Sequence, residues 1–190
     1  MIRIRIDREG NPKLLINEKA AFVLCKHCIM KFSLDFIDNE PLDMSLRHEE
    51  ITFDNLVDCI EMQTNIEKAR DYLNNQTTIK GHIFYLGQDP VGLIWIGYRG
   101  TNEYEYKVRD TDAFGFDFVV NNRYRGQGII ERMIYEVLLE LKKEGISEML
   151  ASVRKNNQAA IHAYEKIGAK VVDHKNWIRL VGRNIPYHRI

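Results

Sequence analysis

The chain has 190 residues, 45% of them apolar or aromatic, and its 27 Lys plus Arg balance 27 Asp plus Glu. That length suits one domain with its own core, and the balance excludes a global field that would draw nucleic acid or an anionic membrane. No apolar run approaches the roughly 20 residues of a membrane helix, and the N-terminus lacks the apolar core of a signal peptide. Three cysteines, an odd number, suit free thiols in a reducing compartment, so the expectation is a soluble, cytoplasmic, single-domain protein.

Residues 2–6 alternate Ile with Arg and, with DREGNP as a turn and KLLI behind it, predict a hairpin. The apolar run 20–37 lacks a clear period and is read as a helix; NEP at 39–41 breaks it. LDMSLRHEEI (42–51) suits a strand. Two helices are predicted next, over 52–63 behind a Thr or Asp cap and over 65–75 behind Asn65. HIFYLG (82–87) and VGLIWIGY (91–98) read as strands joined by a QDP turn, and 99–112 as a polar, tyrosine-rich connection. AFGFDFVV (113–120) is a strand. Residues 126–144 carry the longest helical stripe, with Ile130, Met133, Ile134, Val137, Leu138 and Leu141 on one face. EMLASV (148–153) is a strand, NQAAIHAYEKIG (157–168) a helix with Gly168 as its stop, and KVVDH and WIRLVG close the sheet. Strand–helix alternation after residue 113 implies parallel pairing there, and the earlier hairpins an antiparallel part. The fold class is therefore α/β: one mixed sheet covered by helices on both faces.

RYRGQG (123–128) lies where the 113–120 strand hands over to the long helix. Gly126 and Gly128 leave backbone N–H groups uncovered, the helix start supplies unpaired N–H groups and a positive dipole end, and Arg123 and Arg125 add charge at the rim. Such a corner can hold a phosphate or diphosphate, or be a glycine-rich turn with solvated arginines. A dinucleotide fingerprint and a Walker loop both fail on spacing, since 126–131 reads GQGIIE and no Lys-Ser/Thr pair follows.

FDFVVNNRYRGQGI, followed about thirty residues on by LASVRKNNQAAIHAYEKIGAK, resembles the GNAT superfamily of acyl-CoA-dependent N-acyltransferases. Arg123, Gly126 and Gly128 match its Arg/Gln-x-x-Gly-x-Gly/Ala motif; Val153, Asn157, Ala160, Tyr164, Lys166 and Gly168 match its second block. Ile130 and Ala169 depart from it, where the family usually has a small and an aromatic residue. The match is firm over 113–170 and rests on element order over 43–112. It implies a GNAT-like, mostly antiparallel sheet with one splayed parallel pair, an N-acetyltransferase domain over 41–190, and residues 1–40 as an extension, hairpin plus helix, packed on the same domain.

The resemblance implies acetyl-CoA as donor and cosubstrate and direct transfer to an amine; no metal is expected. Tyr164 is implied as the acid that protonates the departing thiolate. A phenol with a pKa near ~10 keeps its proton at neutral pH while a thiol sits near ~8.5. The diphosphate falls to Arg123, Arg125, Gly126, Gln127, Gly128, Ile129 and Ile130, and the pantetheine arm to the backbone of Phe118, Val119 and Val120, pairing as an added strand where 113–120 splays from 148–153. Asn157 reads as a helix cap and, by the resemblance, as a contact to the pantetheine arm. Asp117 sits where small-amine members carry an acid, as base or cation holder; the bland alternative is a carboxylate paired with a neighbouring Arg or Lys. Glu103 and Glu105 are weaker acids for that role. Ser152, where acetyltransferases of protein N-termini carry Glu, lowers that substrate class, so a small-molecule amine is the expected partner.

Other residues read mainly as structure. Cys25-Lys26-His27-Cys28 has the look of a zinc half-site but lacks a second Cys/His pair. His162 is read as a surface or core histidine, Trp95 and Tyr98 as core or pocket wall, and Trp177 with Tyr187 as candidates for the acceptor side. The strand 2–6 offers an edge for pairing with a second copy in a homodimer. A non-catalytic acyl-CoA sensor, a protein lysine or N-terminal acetyltransferase, and a nucleotide-phosphate enzyme using the same corner remain the alternatives.

Overall fold

The computed structural model describes residues 2–6, 12–16, 19–35, 37, 46–60, 62, 66–74, 77–101, 106–180 and 183–186. The strands are β1 (Ile2–Ile6), β2 (Pro12–Ile16), β3 (Lys19–Ser33), β4 (Arg47–Glu50), β5 (Ile79–Leu86), β6 (Asp89–Gly97), β7 (Asp112–Val120), β8 (Glu148–Arg154), β9 (Lys170–Leu180) and β10 (Arg183–Pro186). The helices are α1 (Ile66–Asn74), α2 (Ile129–Lys143) and α3 (Gln158–Lys166), with 3-10 turns at Leu56–Cys59 and Asn122–Tyr124. All strands join one sheet, ordered β1-β2-β3-β8-β7-β6-β5-β4, with β9 on the other edge of β3 and β10 on β9. Every pair is antiparallel except β7 with β8. This is the mixed α/β sheet expected, with β1–β2 as the predicted hairpin.

The predicted helix over 20–37 is instead a strand. β3 pairs with β8 along His27–Ser33 and with β9 along Phe22–Lys31. Cys28, Met30 and Phe32 pack among the α2 and α3 side chains, while Ile29 packs with the cluster that includes α1. A strand hydrogen-bonded on both edges and covered on both faces shows little alternation in its sequence. The helix-favouring Ala, Leu, Lys and Met here yield to that pairing. The predicted helix over 52–63 reduces to the 3-10 turn at Leu56–Cys59, preceded by Asn55, whose side-chain oxygen accepts from Thr52 N at 2.8 Å instead of capping it. KVVDH and the WIRL of WIRLVG form the single strand β9.

Two apolar layers flank the sheet. On one face Ile129, Met133, Ile134, Val137, Leu138 and Leu141 of α2 are each no more than 1% exposed. Burial of such side chains contributes roughly 1.5–3 kcal/mol apiece, against tenths for helix propensity, so packing holds α2 in place. On the other face Tyr72 of α1 lies 4.9 Å from the Trp95 ring and 5.1 Å from Phe116. Trp95 is fully buried and packs over Gly81, where a Cβ would come within 2.6 Å of its ring. No helix among the described residues is long and apolar enough to cross a membrane.

Candidate functional site

β7 and β8 pair in parallel from Asp112–Glu148 to Gly115–Ala151. Beyond that point, among the described residues, β7 pairs on β6 up to Val120 and β8 on β3 up to Arg154. The facing edges therefore part, leaving the β7 backbone around Phe118–Val120 available to an extended chain, which is the physical basis of strand addition.

A bulge sits in that wedge. Val119 pairs with Leu93 and Phe116 with Trp95, so Asp117 and Phe118 together oppose Ile94. Asp117 has φ 48°, the left-handed region, which Asp tolerates better than most residues. The bulge turns the carboxylate toward α1, where Asp117 Oδ2 accepts from Lys68 Nζ at 2.7 Å and from the Tyr72 hydroxyl at 3.1 Å. Asp117 thus has a lysine partner, as one sequence reading foresaw, but the partner comes from a helix and not from the sheet. Lys68 and Tyr72 were not foreseen. Their i, i+4 spacing puts them on one face of α1, but nothing in the sequence ties that face to Asp117.

Phe118 projects to the other face. Its ring lies over Gly115, where an added Cβ would overlap it, and 5.5 Å from the Tyr164 ring. Tyr164 is 5% exposed and also meets Phe32 of β3 at 5.7 Å. Burial raises the Tyr164 pKa above its ordinary value, so the phenol stays protonated. Gly115→Ala is expected to cost about 1–3 kcal/mol in denaturant unfolding, because the Phe118 ring has to leave its place between Gly115 and Tyr164; an unchanged midpoint would contradict this packing.

The RYRGQG corner follows. Asn121 opens the 3-10 turn, its side chain accepting from Arg123 N at 3.2 Å, and Tyr124 donates to Asp89 Oδ2 at 2.5 Å. Gly126 and Gly128 both have φ 76°, with nothing within 4 Å of an added Cβ. They are needed for their backbone conformation, and their outer sides are open. Gly128 is the N-cap of α2 and cannot cap with a side chain; the α2 N–H to Gly128 O bond comes from Arg132, at 3.2 Å. The N–H groups of Ile129, Ile130 and Glu131 thus precede the intrahelical ladder. Arg123, Arg125 and Gln127 are exposed, Ile130 is half-buried, and Ile129 is buried and fixes the helix start in the core. Arg125 Nε donates to Val120 O at 3.2 Å, which ties the corner to the end of β7. These features fit a diphosphate: uncovered amides, a helix dipole and two exposed guanidinium groups at one place.

Beside the corner a groove of about 360 Å3 runs between the 3-10 turn at 56–59 and the β5–β6 turn, with Asp58, Asp89, Asn121 and Arg123 among its walls. Asp58 accepts from the Tyr85 hydroxyl at 2.7 Å, whose pKa burial and the adjacent carboxylate push up to about 12.

The remaining candidates fall as follows. Asn157 caps α3, its side chain accepting from Ala160 N at 3.2 Å. His162 is exposed. Tyr98 is half-buried and donates to Glu144 at 2.9 Å. His27 and Cys28 are consecutive in a strand and so point to opposite faces; His27 Nδ1 lies 2.8 Å from Ser152 Oγ and Cys28 Sγ lies 3.5 Å from His174 Nδ1. Glu103, Glu105, Tyr187 and the Trp177 side chain lie outside the described residues.

The profile described as "Acetyltransferase (GNAT) family" matches residues 48–169. No curated protein matches the chain. Among solved structures, the chain is 12% identical to a tandem GNAT protein from the clavulanic acid biosynthesis pathway, with TM-score 0.62 over 84% of this chain and 55% of that one. It is 17% identical to an aminoglycoside acetyltransferase, meta-AAC0020, from an uncultured soil metagenomic sample, with TM-score 0.52 over 65% of this chain and 87% of that one. It is also 17% identical to the ribosomal-protein-S18-alanine N-acetyltransferase of Escherichia coli, with TM-score 0.53 over 65% and 77%. Against three further structures it aligns over 80%, 83% and 85% of itself but spans only 62%, 62% and 52% of their length.

Proposed function

Because the chain belongs to the acetyltransferase (GNAT) family, we propose that it moves the acetyl group of acetyl-CoA directly onto the amine of a small cationic molecule. The observation that carries this reading is the coincidence of three features: a wedge opening at Gly115 and Ala151, an uncapped α2 start beyond it, and the buried Tyr164 phenol against Phe118. Acetyl-CoA supplies a thioester acyl donor. The amides of Gly126 to Ile130 hold its diphosphate, with Arg123 and Arg125 at the rim. The free edge of β7 at Phe118–Val120 takes the pantetheine arm as a short added strand and offers N–H groups where negative charge develops on the carbonyl oxygen.

The chemistry is a displacement at the acyl carbon. A carbon–nitrogen bond forms and the carbon–sulfur bond breaks; the ammonium loses one proton to solvent before attack, the sulfur takes the Tyr164 phenolic proton, and the second proton lost by the nitrogen returns through solvent to restore the phenol. Asp117 faces the α1 side and is already arranged around an ammonium, that of Lys68. A cationic acceptor that displaces Lys68 meets a carboxylate oriented by the Tyr72 hydroxyl. Asp58 and Asp89 outnumber Arg123 along the neighbouring groove, and that excess of one negative charge favours cations over neutral acceptors. Of the similar structures, one is named as an aminoglycoside acetyltransferase and another as one acting on a ribosomal-protein alanine. The acidic groove, and Ser152 in place of a glutamate, favour the former class here.

Thiol release from acetyl-CoA across a panel of polyamines, amino sugars, aminoglycosides, lysine peptides and N-terminal peptides tests the reading. Turnover with a small cationic amine is expected. Stabilisation by CoA without turnover on any amine would support a sensor instead, and turnover on peptides alone a protein acetyltransferase. Asp117→Asn separates the roles at the acceptor side. Asn tolerates the left-handed backbone and keeps the bulge, so CoA affinity should hold while kcat/KM for the cationic amine falls about tenfold or more. An unchanged kcat/KM would leave Asp117 as a tether for α1.

A further inference from the structure

On the α2 face of the sheet, away from the RYRGQG corner, His48 of β4, His82 of β5 and Glu140 of α2 converge. His48 Nε2 lies 2.8 Å from His82 Nδ1, and each of these nitrogens lies 3.7 Å from the same carboxylate oxygen, Oε2 of Glu140. A tetrahedral ion with ligands at about 2.0–2.1 Å has ligand–ligand edges of about 3.3–3.4 Å. The three separations bracket that edge, so the atoms form one face of such a tetrahedron after side-chain shifts of a few tenths of an ångström. The motif is invisible in the sequence, because its members stand far apart along the chain and on three different elements.

We propose that His48, His82 and Glu140 form a binding site for a zinc-like divalent transition metal, with water in the fourth position. Two imidazole nitrogens and one carboxylate oxygen are a donor set for zinc and its neighbours, and a poor one for magnesium or calcium. The frame is rigid. His82 is 2% exposed, and His48 stacks flat on the buried Phe84 ring at 4.6 Å with 12° between planes. Access is open, since the Glu140 side chain is 39% exposed and that of His48 21%. The surroundings are rich in carboxylates: Glu50 and Glu144 lie near Glu140, and Glu136 lies near His48. On the other side Lys80 is engaged by Glu144 at 2.6 Å, and Arg132 pairs with Glu136. As it stands, the His48–His82 contact is a hydrogen bond with one shared proton, which an ion would replace. The bound ion would fasten the edge strand β4 through β5 to α2. This departs from the expectation of no metal, and it is independent of the acetyl-transfer reading.

The test is equilibrium dialysis and calorimetry of untagged, chelator-treated full chain with ZnCl2, with CoCl2 as a spectroscopic probe. One tight equivalent per chain and a raised Tm are expected, with a Co2+ visible spectrum of low-coordinate N/O type. His48→Gln and Glu140→Gln, at partly exposed positions, should each weaken that equivalent at least tenfold and abolish the Tm shift, while far-UV circular dichroism shows both folded. Binding of less than one equivalent, or an affinity unchanged in both folded variants, would overturn the proposal and leave a histidine pair held by its own hydrogen bond.

Discussion

Tyr164→Phe is expected to lower kcat by about 10²–10³-fold, or roughly 3–4 kcal/mol of barrier, the usual contribution of a positioned proton donor. The substitution removes one hydroxyl and keeps the ring, so the contacts to Phe32 and Phe118 at 5.7 and 5.5 Å survive. Tm and CoA affinity should therefore hold. Burial raises the Tyr164 pKa. The protonated form is the one required, so this group should impose no alkaline fall in kcat below about pH 10. Steady-state kinetics with both substrates varied, beside a thermal melt, check the result. A kcat within threefold of the parent, with the melt unchanged, would remove Tyr164 from the chemistry.

Gly128→Val should act on the donor and not on the chemical step. Gly128 has φ 76° and caps α2, and a β-branched residue pays about 1–2 kcal/mol in that region. The strained turn rotates its amides away, and each lost charge-assisted bond costs about 1.5–3 kcal/mol. The dissociation constant of CoA should rise about 10–100-fold, with kcat at saturating donor within a few-fold. Gly145→Val is the control. Gly145 has φ 83°, follows the C-terminal end of α2 and has nothing within 4 Å of an added Cβ. It should carry similar strain with unaltered CoA affinity. Equal loss of affinity in both would mean that strain, and not the corner, is being measured.

The parts of the fold legible in the sequence are those governed by local chemistry. The β1–β2 hairpin carries turn residues between alternating strands, β5 and β6 were legible as a hairpin although the turn falls at Gly87–Gln88 and not at QDP, where Asp89 and Pro90 already pair in β6, α2 carries a long apolar stripe, and Asn157 and Gly168 mark the ends of α3. β3 was not legible, because its strand character comes from β8 and β9, more than a hundred residues away. The backbone conformation of the corner at 123–128 was legible, because glycine spacing reveals where the chain takes positive φ. The Asp117 bulge was not: pairing register is a property of two strands, and FDFVV alternates acceptably without it. For the same reason neither the Lys68–Tyr72 grip on Asp117 nor the His48–His82–Glu140 cluster has a local signature.

The most direct measurement is a crystal structure of the chain with CoA. The diphosphate should lie within hydrogen-bond distance of the amides from Gly126 to Ile130, the pantetheine between β7 and β8, and the sulfur within about 3.5 Å of the Tyr164 oxygen or one water away. A diphosphate bound elsewhere, or a sulfur out of reach of that oxygen, would contradict the account.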